Sequence, residues 1–168
     1  VVADEPPENG KHVTYYENGQ KREERHYKNG NEEGLQTQWY ENGQKKLKVH
    51  YKDGLPDGLW IHWYKNGKKE SEAHYKNSKL ASASVWKPGG KPCPITKVVD
   101  GSGIVVNWYE NGKKESETQF KNGQQDGLWT RWYANGQKLL ESHWKNGRFD
   151  GPLTTWYENG QKALEIHF

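Results

Sequence analysis

The sequence predicts an all-β protein, an elongated single-layer array of antiparallel β-hairpins with a 24-residue period. Three observations carry this. Asn-Gly recurs at 18–19, 42–43, 66–67, 111–112, 135–136 and 159–160, in steps of 24 within each trio and 45 between the trios. A second turn follows 11 residues later, at Asn29-Gly30, Asp53-Gly54, Asn77-Ser78, Asn122-Gly123 and Asn146-Gly147. Between these turns, stretches such as LWIHWY and KESEAHY alternate bulky with polar residues, and no segment has the 3.6-residue period of a helix longer than one turn.

Residues 1–10 read as an N-terminal extension, 11–78 as hairpin repeats 1–3, 79–102 as a degenerate repeat or hinge, and 103–168 as repeats 4–6. Within repeat 3, a two-residue Asn66-Gly67 turn would set Ile61 against Glu72. A three-residue Lys65-Asn66-Gly67 loop closed by a glycine bulge instead sets Trp63 against Lys69, Ile61 against Ser71 and Leu59 against Ala73. The second register pairs like with like, and the Ser71 position is Leu47, Leu140 and Leu164 elsewhere, so it is the expected one. It puts Tyr15, Trp39, Trp63, Trp108, Trp132 and Trp156 on one packing face with Tyr27, Tyr51, Tyr75, Phe120, Trp144 and Phe168. The opposite face then carries Tyr16, Tyr40, Tyr64, Tyr109, Tyr133 and Tyr157, a histidine column at His26, His50, His74, His143 and His167, and Glu72, Glu117, Glu141 and Glu165.

The segment KLASASVWKPGGKPCPITKVVDGS, 79–102, contains an echo of the hairpin, VWKPGGK against HWYKNGK. Pro92-Cys93-Pro94 lacks the donors a regular ladder needs. A hinge is the favoured reading, and a flap over the aromatic face is the alternative.

Composition narrows the function. Only 31% of the 168 residues are hydrophobic, too few for a conventional two-layer core, yet Trp 9, Tyr 10 and Phe 3 are far more aromatics than a disordered chain carries. Basic and acidic residues number 25 and 22, so no nucleic-acid partner is expected. No apolar run reaches the ~20 residues that cross a bilayer as a helix, so no membrane insertion is expected. Cys93 is the single cysteine, which excludes an internal disulfide. The opening VVADEPPENG and the absence of methionine fit a mature secreted or envelope protein, with the cytoplasm left open.

The unit DGLWxxWYxNGxKxxExxYKNG, nearly whole at 57–77, 126–147 and 150–168, resembles the variant MORN repeat of bacterial proteins of the YwqK-like antitoxin family. The resemblance implies β-hairpins stacked side by side, and protein interaction or scaffolding in preference to chemistry. Placing Trp-Tyr before Asn-Gly departs from the more familiar MORN pattern, which weighs against a borrowed lipid-recognition role.

No catalytic constellation emerges. Equivalent histidines of successive hairpins lie two strands apart, ~9.5 Å, whereas zinc ligands each sit ~2 Å from one ion. No metal or cofactor is therefore expected. The glutamates are too evenly spaced to flank one bond as a carboxylate pair, no serine has the context of a nucleophile elbow, and Cys93 has no placed base. What remains is a candidate interaction surface of Trp60, Trp129, Tyr40, Tyr64, Tyr109, Tyr133, His50, His74 and His143. The final strand edge, at His167 and Phe168, is a candidate for end-to-end association. The expected function is a non-enzymatic repeat scaffold that binds a protein partner or copies of itself as a surface or fibre subunit. A carbohydrate- or choline-binding cell-wall module, which needs aromatics converging into a cage, and an antitoxin-like binder are the alternatives.

Overall fold

The computed structural model describes residues 5–167, which form strands and turns with no helix. They divide into two units, one up to residue 78 and one from residue 79. In the first, β1 (Gly10–Tyr15), β2 (Lys21–Lys28), β4 (Gly34–Trp39), β5 (Lys45–Lys52), β6 (Leu55–Trp63) and β7 (Lys69–Lys76) pair in that order, while β3 (Asn31–Glu32) continues the ladder beside β2. Every pairing is antiparallel.

Two turn chemistries alternate along the chain. At Asn-Gly the loop has three residues, as the sequence predicts. Gly67 N–H donates to the Tyr64 carbonyl at 2.9 Å, Tyr64 N–H donates to the Lys68 carbonyl at 2.9 Å, and Gly67 sits at φ 77°. The Asn66 side-chain oxygen accepts the Lys68 N–H at 2.9 Å, so the asparagine closes its own turn. The second turns hold two consecutive residues at positive φ, for example Asn29 at 51° and Gly30 at 75°. That is the geometry whose twist matches the flanking strands. Asp100-Gly101 makes another such turn, at 50° and 74°.

The expected register is correct only beside the loop. Trp63 does face Lys69, but a bulge follows, and Ile61 then faces Glu72, Leu59 faces His74, His62 faces Ser71 and Trp60 faces Ala73. Glu70 is the extra residue. Beyond it every second-strand side chain lies on the side opposite to the one predicted. Trp60 and His62 therefore share a face with Ala73 and Tyr75, while Trp63 shares one with Glu72 and His74. The shift recurs at Asn107/Trp108, Arg131/Trp132 and Thr155/Trp156. Setting an apolar residue beside Glu72 is tolerable because Lys69 Nζ meets that carboxylate at 2.6 Å. The same pairing joins Lys21 to Glu24, Lys114 to Glu117 and Lys138 to Glu141. Three of these lysines also lie over a tryptophan of the next hairpin: Lys21 over Trp39, Lys114 over Trp132 and Lys138 over Trp156, at 5.0–5.1 Å.

In the second unit the order is β8 (Lys79–Val85), β9 (Lys97–Val99), β10 (Ser102–Trp108), β11 (Lys114–Lys121), β12 (Gln124–Trp132), β13 (Lys138–Lys145), β14 (Arg148–Trp156) and β15 (Lys162–His167). Its first hairpin is the degenerate repeat. Lys87 N–H donates to Lys91 O and Gly90 N–H to Lys87 O, the bonds of the regular Asn-Gly loops. Pro92 still bridges Trp86 and Cys93 N–H donates to the Val85 carbonyl at 2.7 Å, after which residues 94–96 leave the ladder and Thr96 reaches β10. There Cys93, at 5% exposure, packs with Val85 and Val106 and beside Trp108. The Thr96 hydroxyl donates to the Val106 carbonyl at 3.2 Å and accepts the Val106 N–H at 2.9 Å. One side chain thus supplies the backbone partners that the short β9 does not reach. Burial pushes the Cys93 thiol up, but backbone N–H groups of Thr96 and Ile95 and the Trp108 indole outweigh it and hold the thiol below its ordinary value.

Candidate interaction surface

The tyrosine column is an internal joint. Tyr16, Tyr40, Tyr109 and Tyr133 each donate their hydroxyl to the backbone carbonyl of a tryptophan one repeat on, namely Trp39, Trp63, Trp132 and Trp156, at 2.7–2.9 Å. Tyr64 is 3% exposed. The asparagines add a second link per repeat, with Asn18, Asn42, Asn111 and Asn135 donating side-chain N–H to carbonyls of the next loop at 2.9–3.1 Å. Tyr40, Tyr109 and Tyr133 are thereby engaged within the sheet.

Part of the histidine column has a similar task. Val49 faces Trp60 and Tyr51 faces Pro56, so the single residue His50 lies opposite the three residues 57–59. His50 Nδ1 bonds the Asp57 carbonyl at 3.1 Å and closes this wide bulge. His26 does the same to Leu35 at 2.8 Å. Gly58 turns at φ 94° beneath His50, and Gly151 at φ 112° beneath His143, with space for a Cβ 3.8 Å from each histidine Cβ. His74 and His143 are exposed, as is His167, whose ring lies 3.4 Å from Glu165. Phe168 lies outside the described residues. Among the described residues no three His, Cys, Asp or Glu side chains are grouped to hold a metal ion.

Trp60 and Trp129 do become centres of aromatic clusters, each on the side opposite to the Trp63-type column. Trp60 touches Tyr75 at 5.4 Å and Tyr51 at 6.3 Å between ring centres. Its indole N–H donates to His62 Nε2 at 2.7 Å, which fixes the imidazole as neutral with its proton on Nδ1. Burial, then the charge of Lys46, holds His62 below its ordinary value. Burial likewise raises Tyr75, and burial followed by Glu32 raises Tyr51. Trp129 meets Trp144 edge-on at 6.0 Å, and Phe149, 41% exposed, packs on Trp144 at 4.1 Å with the rings tilted by 39°.

The sequence reading did not single out a polar network on the same face of the first unit. Arg25 reaches Glu32 and Glu23, both at 2.8 Å. Gln36, 5% exposed, donates to Glu32 at 2.9 Å, and Gln38 donates to Glu23 at 2.6 Å. In later hairpins the positions of Glu23 and Arg25 are Leu47 and Val49, or Ser71 and Ala73. This break in the column was the signal available in the sequence.

The hairpin geometry recurs with the sequence, and a single family description covers it. The MORN repeat variant matches residues 8–29, 32–53, 56–77, 102–122, 125–146 and 149–168. The chain belongs to this MORN repeat variant family. The matches skip the degenerate hairpin, whose loop keeps the MORN bonding pattern while residues 94–96 depart from it. No curated protein matches the chain. MORN repeats generally act as binding modules for proteins or membranes. Among the described residues no helix is long and apolar enough to cross a membrane.

Proposed function

We propose that this MORN repeat protein is a non-enzymatic scaffold whose partner is another protein, recognised on the face that carries Trp60 in the first unit and Trp129 in the second. One observation carries the reading. Of the residues that recur in every repeat, Tyr16, Tyr40, Tyr109 and Tyr133 and the asparagines of the same four repeats are engaged in joints to the next repeat, whereas residues that change from repeat to repeat line the Trp60 and Trp129 face. Scaffolding and recognition are divided between different columns. Phe149, 41% exposed on the Trp129 face, is the sort of apolar side chain that anchors an interface. A choline-type cage is disfavoured, because Trp60, Tyr51 and Tyr75 pack on one another instead of standing around a gap.

The test compares wild type with Phe149→Glu and, as a control on the opposite face, Leu35→Glu in affinity capture from cells that make the protein, together with mass in solution across a wide concentration range. A partner captured by wild type, lost from Phe149→Glu and kept by Leu35→Glu supports the reading. Mass that grows with concentration makes the partner a second copy. Identical capture profiles for all three proteins, with constant mass, would sink it.

A further inference from the structure

We infer that the first unit carries a receptor for the carboxylate of an acidic protein segment, in the cleft between Arg22 and Lys46. This rests on the protein-binding reading above and names the chemistry one part of that surface selects. The cleft measures about 150 Å³ and is lined by Tyr16, Arg22, Glu23, Arg25, Gln38, Trp39 and Lys46. Three cations face one acid there. That acid is occupied, since Glu23 accepts from Arg25 at 2.8 Å and from Gln38 at 2.6 Å. Arg25 is neutralised twice, by Glu23 and Glu32. Among the described residues no carboxylate forms an ion pair with Arg22 or Lys46. Lys46 lies over the Tyr40 ring at 5.9 Å and near enough to His62 to depress its proton affinity.

The protein supplies its own control. Arg22 and Lys46 are the same repeat position, the residue taken up by the bulge, and in other repeats it is Glu70, Glu115, Leu139 and Ala163. The hairpin forms with an acid, an aliphatic or alanine there, so the two cations are not needed to build the sheet. Uncompensated cations at the lip of a polar cleft favour a carboxylate, for which arginine offers paired donors.

The neighbouring surface indicates what else the ligand carries. Gln38, Leu47 and His62 are successive cross-strand partners, and His62 bonds Trp60. From β4 to β6 is two strand spacings, ~9.6 Å, which an extended peptide covers in about three residues. A segment with Asp or Glu about three residues from a bulky apolar side chain fits both the cleft and the Tyr51–Trp60–Tyr75 cluster.

Random dodecapeptides displayed on phage, selected against the immobilised full chain, test this, with Arg22→Glu/Lys46→Glu as the comparison. Glutamate stands at the equivalent positions of other repeats, so the variant should keep the wild-type circular dichroism. Enriched peptides should pair an acid with an aromatic or large aliphatic residue about three positions away. They should bind the variant at least about tenfold more weakly and lose affinity as salt rises. Enrichment of acid-free peptides, or equal affinity for the variant, overturns the receptor while leaving the scaffold reading intact. Failure to enrich any peptide counts against both unless the Phe149→Glu capture result stands, in which case only the receptor falls. Charge-dependent binding to phosphatidylserine vesicles without peptide enrichment would reassign the cations to a membrane surface and overturn the proposal.

Discussion

At the scale of single residues, the most informative groups are those whose polar atoms leave their own repeat. The Tyr40 hydroxyl donates to the Trp63 carbonyl at 2.8 Å. Tyr40→Phe keeps the ring and removes that donor, so it should lower stability by about 1 kcal/mol in urea unfolding. No change would mean that the joint is held by ring packing alone. His62 gives a pH signature. Its folded proton affinity is depressed from the ordinary 6.5, so the unfolded chain binds the proton more readily. Stability from this group is therefore complete above about 6.5 and declines as pH falls toward the folded value. Wild type should lose urea resistance between about pH 7 and 5 more steeply than His62→Gln, with Trp60 fluorescence changing in the same range. Parallel profiles for the two proteins would contradict this.

At the scale of the element, Thr96 replaces a missing piece of strand. Thr96→Val preserves shape but leaves the N–H and C=O of fully buried Val106 without their partner. The expected loss is about 2 to 3 kcal/mol, with faster amide exchange at Val106. A loss under about 0.5 kcal/mol would show that water replaces the hydroxyl. The elements also show what the sequence made readable. Both turn types were legible, because Asn-Gly and Asp-Gly state their backbone geometry through glycine and asparagine chemistry. The register one step beyond the loop was not, because it was judged by matching polarity across the strands. The lysine–glutamate pairing that makes Ile61 opposite Glu72 acceptable joins residues three apart. In an unbroken strand such residues point to opposite sides, so Lys-x-x-Glu at 21/24, 69/72, 114/117 and 138/141 was itself the mark of a bulge. The candidate surface was partly legible for the same reason. Trp60 and Trp129 were recognised as unlike the rest, whereas Tyr40 and His50 resemble exposed residues until the position of the next hairpin is known.

At the scale of the whole molecule, the long side-chain links are short in sequence. Tyrosine and asparagine reach 23 residues forward, and each strand pairs with its neighbours in chain order within its unit. Stability in such arrays approximates a sum over repeats and their nearest-neighbour joints. Tyr40→Phe and Tyr133→Phe, which share no partner, should therefore add to within about 0.5 kcal/mol when combined. Tyr16→Phe and Tyr40→Phe act on adjacent joints, and their sum should deviate more. Strict additivity in the second pair, or strong coupling in the first, would show that the repeats do not behave as a chain of local contacts.

The 23-residue reach has a genetic consequence. Because a tyrosine hydroxyl meets a backbone carbonyl and no particular side chain, the acceptor exists whatever the next repeat's sequence. Unequal recombination that removes or duplicates a 24-residue block restores donor and acceptor at the junction without a compensating mutation. Copy number can drift in such a gene while each block diversifies its exposed face on its own.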